Sequence, residues 1–317
     1  MTESAVPRQK ESGVETNRAA LADSTSWTGL VAVLIATACW GTSGIFVKLI
    51  VNSSGVTALS LAFWRDLFTF AVLIIIARLI RPDWLRVQRR DLRWLGALGV
   101  SLGIFHVFWN LGVYLNGAAV ATVQQAAMPA IVAVVAWLIW SEALTWTKIL
   151  AIVLTFVGTV LVSGLKVLSQ TDLTVSGLLV GLAIPIMYAS WNLFGKKVRG
   201  DYNAITVLTY AFAFGALVLL PLQFFTPQPW PVPPVTWLYF AGLIIISTTL
   251  GFSIYTFGLG RLPASVASIL AMAEIPIVAV YAYFLLGERM SEDQVIGSLL
   301  VVGGVLLLSW RRRRSRD

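Results

Sequence analysis

Between Tyr202 and Gly260 the chain carries no Asp, Glu, Lys, Arg or His, and between Trp94 and Ser141 the one residue of those types is His106. A bilayer core needs roughly 20 apolar residues per helix, so each gap is long enough for two spans. The first gap is broken by the proline-rich run Thr226–Pro234, which cannot continue a helix. The second breaks at the turn dipeptide Asn116-Gly117. With 58% hydrophobic and 12% charged residues, the composition excludes a water-soluble globule, for which about 25% charge is usual. The expected fold class is therefore an all-α integral membrane protein.

Reading the remaining gaps in the same way predicts ten transmembrane helices, at 27–51, 57–80, 92–115, 118–140, 146–164, 174–195, 204–225, 235–259, 262–286 and 293–310. Residues 1–26 are polar, lack the apolar core of a signal peptide and read as a flexible cytoplasmic tail. Residues 311–317 read as a basic cytoplasmic tail that anchors on lipid headgroups. The formal charge of +8 is clustered, which argues against a nucleic-acid partner. With ten spans, Lys48, Lys166 and Arg289 fall opposite the termini, Arg65 lies within a span, and every other Lys and Arg falls on the side of the termini. The positive-inside rule then places both termini in the cytoplasm, in a multi-pass protein of the cell inner membrane. A single cysteine, Cys39, and a single histidine offer neither a disulfide framework nor a zinc site, so no metal and no cofactor is expected.

The two halves of the chain match at an offset of about 146 residues. Trp140-Ser141-Glu142 falls on Leu286-Gly287-Glu288, Ala118-Ala119-Val120-Ala121 on Ala264-Ser265-Val266-Ala267, Gly96 on Gly242, Gly112 on Gly258 and Gly158 on Gly304. Pro129 falls on Pro276 with one residue of slippage. The first and sixth spans align slightly differently, Trp40 on Tyr188, Phe46 on Phe194 and Lys48 on Lys196. An odd number of helices per repeat, 27–164 and 174–310, makes the second copy enter the membrane from the opposite face, giving two inverted five-helix repeats. That architecture is associated with carriers whose central site alternates between the two sides.

The end-of-repeat motifs, Leu286-Gly287-Glu288-Arg289-Met290-Ser291 followed by Ile296-Gly297 and Gly303-Gly304, together with Ala38-Cys39-Trp40-Gly41, resemble the EamA-type carriers of the drug/metabolite transporter superfamily. The aromatic-rich third helix and the length are most similar to the YddG-type exporters of aromatic amino acids within it. The resemblance implies ten helices around a central cavity lined by helices 1, 3, 4, 6, 8 and 9, with helices 5 and 10 peripheral.

Polar groups at mid-span are costly in hydrocarbon and must face a cavity or a partner. His106, Trp109 and Asn110 cluster on the third helix; His106 suits a substrate carboxylate, a proton or a helix-to-helix hydrogen bond. Glu274 lies mid-way along the ninth helix and has no acidic counterpart in the first repeat. Trp40, Tyr188, Trp191 and Tyr255 are aromatic residues inside spans rather than in the interfacial belt, and can stack on a substrate or serve as packing. Asn192 and Gln124 add uncharged hydrogen-bonding groups. These ten residues form the expected substrate-binding set, with Pro129 and Pro276 as expected hinges. Arg65-Asp66 reads as an internal pair rather than as part of the site.

The expected function is a secondary carrier of small amphipathic metabolites, amino acids with aromatic or neutral side chains, by alternating access and in the export direction. The partners are a small-molecule substrate and the bilayer. Facilitated diffusion and proton exchange through His106 or Glu274 both stay open. A nucleotide-sugar or other drug/metabolite carrier is the alternative; it requires more cationic groups than the single mid-span Arg65. A third reading is an intramembrane hydrolase using Ser43 and His106, with weak support because its geometry has no signature in the sequence.

Overall fold

Hydroxyl and amide side chains set where four of the helices begin. Thr57, Thr145, Thr174 and Asn203 each accept a hydrogen bond from the backbone N–H three residues on, satisfying a donor that the first helical turn leaves free. In the computed structural model, which describes residues 26–116, 118–164, 174–286 and 290–310, these caps open α3 (Ala58–Ile80), α7 (Trp146–Ser163), α8 (Val175–Val198) and α9 (Ala204–Leu219). The two tails, the turn residue Gly117 and the Gly287-Glu288-Arg289 part of the second end-of-repeat motif lie outside the described residues.

The first predicted span is two helices, α1 (Trp27–Gly41) and α2 (Ser43–Ser54), broken at Thr42. The third is the single helix α4 (Leu92–Asn116). The fourth is also broken, into α5 (Ala118–Gln125) and α6 (Met128–Trp140). The eighth runs through α10 (Pro234–Gly242), a π-helical stretch at Leu243–Leu250 and α11 (Gly251–Leu259). The ninth divides into α12 (Ala264–Ala271) and α13 (Glu274–Leu286), and the last helix is α14 (Glu292–Trp310). Among the described residues there is no strand, and nine helical segments are long and apolar enough to cross a membrane. Leu79, Leu138, Leu179, Leu182 and Leu238 point outward and are exposed, as a lipid-facing surface requires.

The breaks have local causes. Pro129 and Pro276 have no N–H to give to the carbonyls of Gln125 and Met272, and their rings crowd the preceding turn, so each helix stops and restarts just ahead of its proline. The outcome is the same in both halves: a helix of 8 residues followed by one of 13. At Thr42 the hydroxyl donates to the Cys39 carbonyl at 2.7 Å and shares a second hydrogen bond of 2.7 Å with Ser247 in the π-helical stretch.

Glycines bring backbones together. A Cβ on Gly158 of α7 would lie 2.6 Å from the Gly297 carbonyl oxygen of α14, and one on Gly304 would lie 3.0 Å from the Ala151 carbonyl oxygen. Gly99 and Gly103 let α4 approach the Ala211 and Gly215 backbone of α9 in the same way. Reciprocity recurs elsewhere: Gly29 packs on Leu262 and Gly177 on Asn116, residues that correspond to each other under the repeat alignment.

Candidate functional site

A cavity of about 550 Å³ lies inside the bundle. Its walls come from α1 and α2, α4, α5, α8, the π-helical stretch with α11, and α13, which are the spans that the family resemblance implies. Three further elements reach it. Arg65 enters from α3, and Val162 and Ser163 of α7 with Gln294 of α14 close one end, where Gln294 Nε2 donates to the Val162 carbonyl at 3.2 Å. α7 and α14 thus also reach the cavity at this end. A second, more open groove of about 600 Å³ beside α1, lined by residues such as Trp27, Val31, Ile35 and Phe257, contains no titratable side chain and lacks the chemistry of a selective site.

Aromatic rings form one continuous wall. Phe105 stacks on Tyr188 at 4.7 Å, Tyr188 on Trp191 at 5.7 Å, and Trp191 meets Phe252 edge-on at 5.4 Å. Trp40 closes the group, 5.1 Å from Phe252 and 6.3 Å from Trp191, while Trp109 continues it 6.4 Å from Phe105. Tyr255 and Asn192 belong to this set in a different way from that expected. Both are wholly buried behind the wall: the Tyr255 hydroxyl donates to Asn192 Oδ1, and Asn192 Nδ2 donates to the Tyr188 carbonyl at 3.1 Å. Tyr255 stacks on the far side of Trp191 at 5.4 Å. They hold the rings in place rather than border the cavity.

Gln124 does not border the cavity. Its amide packs against Gly181 and its Oε1 accepts from Asn116 Nδ2 at 3.1 Å, so it ties α5 to α4 and α8. The neighbouring Gln125 borders the cavity instead. His106, Trp109, Asn110, Trp40, Tyr188, Trp191 and Glu274 border the cavity as expected. Glu274 is the first residue of α13, where the helix dipole favours a negative charge. Pro129 and Pro276 stand in the first turns of α6 and α13, directly after the breaks.

Arg65 and Asp66 form an internal pair, and Arg65 also borders the cavity. Asp66 is completely buried, and His106 Nδ1 lies 3.2 Å from each of its carboxylate oxygens. A proton on Nδ1 donates to that carboxylate and leaves Nε2 as the ring's second hydrogen-bonding atom. Arg65 Nε lies 3.7 Å from Asp66 Oδ1, and the residue borders the cavity. The available signal was its depth, about two turns into a membrane helix. Ser43 and His106 both border the cavity, but no hydrogen bond joins them among the described residues.

A second polar cluster joins the two halves away from the cavity. Glu142, just beyond α6, accepts hydrogen bonds from Ala264 N–H at 2.7 Å, Ser265 N–H at 3.3 Å and the Ser265 hydroxyl at 2.6 Å, capping α12. Lys148 Nζ lies 3.9 Å from the same carboxylate, and Lys196 Nζ donates to the carbonyls of Leu259 at 3.1 Å and Leu262 at 2.5 Å.

Membrane-length helices packed around an internal cavity, with an aromatic wall and a few buried charges, define a polytopic membrane carrier. Residues 27–164 and 175–310 each match the model of the EamA-like transporter family. The chain belongs to that family. It is 29% identical over 304 residues to YicL of Salmonella typhimurium, named an uncharacterized inner membrane transporter, covering 91% of this chain and 97% of that protein. An uncharacterized transporter of Archaeoglobus fulgidus is 28% identical, with 86% and 95% covered. An S-adenosylmethionine uptake transporter of Rickettsia prowazekii is 24% identical, with 80% and 83% covered. A solved structure with 20% sequence identity superposes with a TM-score of 0.76 over 91% of this chain and 99% of its own, a likeness of fold.

Proposed function

We propose that the protein is a secondary carrier of the cell inner membrane that moves small amphipathic metabolites, foremost amino acids with aromatic or neutral side chains, by alternating access. The observation that carries this reading is the cavity itself: a stacked aromatic wall from Trp40 to Phe105 borders the same cavity as Glu274 and His106. An apolar surface with a few fixed polar groups suits a substrate that is apolar along one side and charged at one end. The relative named for S-adenosylmethionine uptake supports the same chemistry, since that molecule joins an α-amino-acid group to an aromatic base. A nucleotide-sugar substrate fits less well, because Arg65 is the one Lys or Arg bordering the cavity among the described residues.

Ten helices in two inverted repeats, 27–164 and 174–310, are the architecture of this reading. The pairing of Gly158 with Gly297 and of Gly304 with Ala151 supports it, because under the repeat alignment the second contact is the first with its partners exchanged. Reciprocal contact of that kind is what a twofold axis produces. Both termini are cytoplasmic by the distribution of basic residues, and net export is the direction implied by the resemblance to YddG-type carriers. Pro129 and Pro276 serve as hinges between the half-helices.

Uptake of a labelled amino-acid panel into proteoliposomes, with and without a pH gradient, tests the reading. Accumulation of intact aromatic or neutral amino acids is expected, and dependence on the gradient distinguishes proton exchange from facilitated diffusion. If no amino acid enters, the substrate class is wrong; cleavage without accumulation identifies an enzyme. His106→Ala and Glu274→Gln are expected to slow transport while the protein still folds, and wild-type rates in both remove these residues from the mechanism.

A further inference from the structure

Three ionisable side chains border the cavity, Arg65 from α3, His106 from α4 and Glu274 from α13, and Asp66 of α3 lies buried beside the first two. Their hydrogen bonding is uneven. Asp66 shares a hydrogen bond with His106 Nδ1 through Oδ2 at 3.2 Å, while its Oδ1, 3.2 Å from the same nitrogen, has no hydrogen-bond partner among the described residues. Arg65 is engaged far less: its Nε is buried with no hydrogen-bond partner, and its approach to Asp66 at 3.7 Å is too long for a hydrogen bond. A guanidinium presents five donors in a flat fork that matches a carboxylate, and leaving such donors unmet away from water is costly.

The cavity thus has a cationic side, Arg65, and an anionic one, Glu274, with the aromatic wall as a third surface. Asp66 stands 3.7 Å from Arg65 Nε as an ion pair, but its hydrogen bond goes to His106, so it leaves the guanidinium's donors without an acceptor of its own. We propose that Arg65 is the specificity-determining receptor for a substrate carboxylate, with Glu274 receiving the ammonium, so that the cavity selects zwitterions over amines or acids of the same shape. Asp66 is a positioning residue that holds His106 and leaves the Arg65 fork available to an incoming acceptor. This inference rests on the carrier reading above and extends it by assigning each end of the substrate to a residue.

Three probes of one shape test it: L-phenylalanine, phenethylamine, which lacks the carboxylate, and 3-phenylpropionate, which lacks the ammonium. Trp40, Trp109 and Trp191 border the cavity, so binding to the full-length protein in detergent reads out as quenching of intrinsic fluorescence. A charge-assisted hydrogen bond corresponds to about 10–100-fold in affinity, so the wild type is expected to bind phenylalanine at least about 10-fold more tightly than either analogue. Arg65→Gln is expected to weaken phenylalanine and phenylpropionate by about 30-fold and to leave phenethylamine within about 3-fold. Glu274→Gln is expected to give the mirror pattern.

Equal weakening of all three ligands by Arg65→Gln would show a structural role and overturn the proposal. Wild-type affinity that ignores loss of the carboxylate overturns it without any variant, which keeps the test decisive if Arg65→Gln does not fold. Transport of phenylalanine with either of those results leaves the carrier reading standing. If the wild type neither binds nor transports any of the three probes, the amino-acid reading falls and this assignment falls with it.

Discussion

Replacing Glu142 by alanine removes three hydrogen bonds at once from a place that water does not reach. The carboxylate accepts from two backbone N–H groups and one hydroxyl at the start of α12, all buried, and these donors have no second acceptor of comparable geometry. Removing one partner of a buried, charged and well-bonded group costs about 3–5 kcal/mol, most of it from the donors left unmet. At about 2–4 °C per kcal/mol this lowers the melting temperature by roughly 10 °C. Glu142→Gln keeps one acceptor oxygen but turns an N–H₂ group toward the donors, and about half of that loss is expected. Lys148→Met is the informative control. Lys148 stands 3.9 Å from the carboxylate, and its ammonium has no hydrogen-bond partner, so removing its charge while keeping its length should cost only about 1 kcal/mol. Thermal unfolding in detergent, followed by tryptophan fluorescence, measures all three. The argument fails if Glu142→Ala melts within a degree or two of the wild type. It fails differently if Lys148→Met is as damaging as Glu142→Ala, since the charge balance at Glu142 and not the cap on α12 then carries the stability.

Gly158→Ala places a Cβ 2.6 Å from the Gly297 carbonyl oxygen and should cost about 1–3 kcal/mol in thermal stability, whereas Gly303→Ala meets nothing within 4 Å and should gain about 0.5–1 kcal/mol. Tyr255→Phe leaves the buried Asn192 Oδ1 without its hydroxyl donor, for which a loss of about 1–3 kcal/mol is expected in the same assay; no change means that the aromatic wall is held by stacking alone. Pro276→Ala restores the missing N–H at the break between α12 and α13. Transport several-fold slower, in a protein at least as heat-stable as wild type, identifies a hinge, and unchanged transport identifies a static kink.

Features governed by neighbours in the chain were legible in the sequence. Thr57, Thr145, Thr174 and Asn203 stand next to apolar runs and start helices, and the prolines at 129 and 276 announce the interruptions beside them. Long-range partnership was not. The break at Thr42 depends on a hydroxyl 205 positions away in Ser247, and Glu142 finds its donors 122 and 123 positions on. Gln124 and Gln125 differ by one residue, or about 100° around a helix, so a small uncertainty of phase decides which one meets the cavity. Asn192 and Tyr255 were singled out correctly as polar groups inside spans, but composition cannot tell a group that lines a cavity from one that braces the lining. The pairing of Arg65 with its neighbour Asp66 was legible, but the carboxylate's second partner, His106, 40 positions on, was not.

Where α7 crosses α14, peptide groups touch with no side chains between them, because Gly158 and Gly297 each face the other's carbonyl oxygen. Side chains can change rotamer to let two surfaces glide, but bare backbone cannot. Sliding these helices would drive one carbonyl over the other, so the pair behaves as a welded joint. In the alternating-access reading proposed above, rearrangement within the bundle would fall to the interrupted helices, with α7 and α14 as the stationary post against which their displacement is measured.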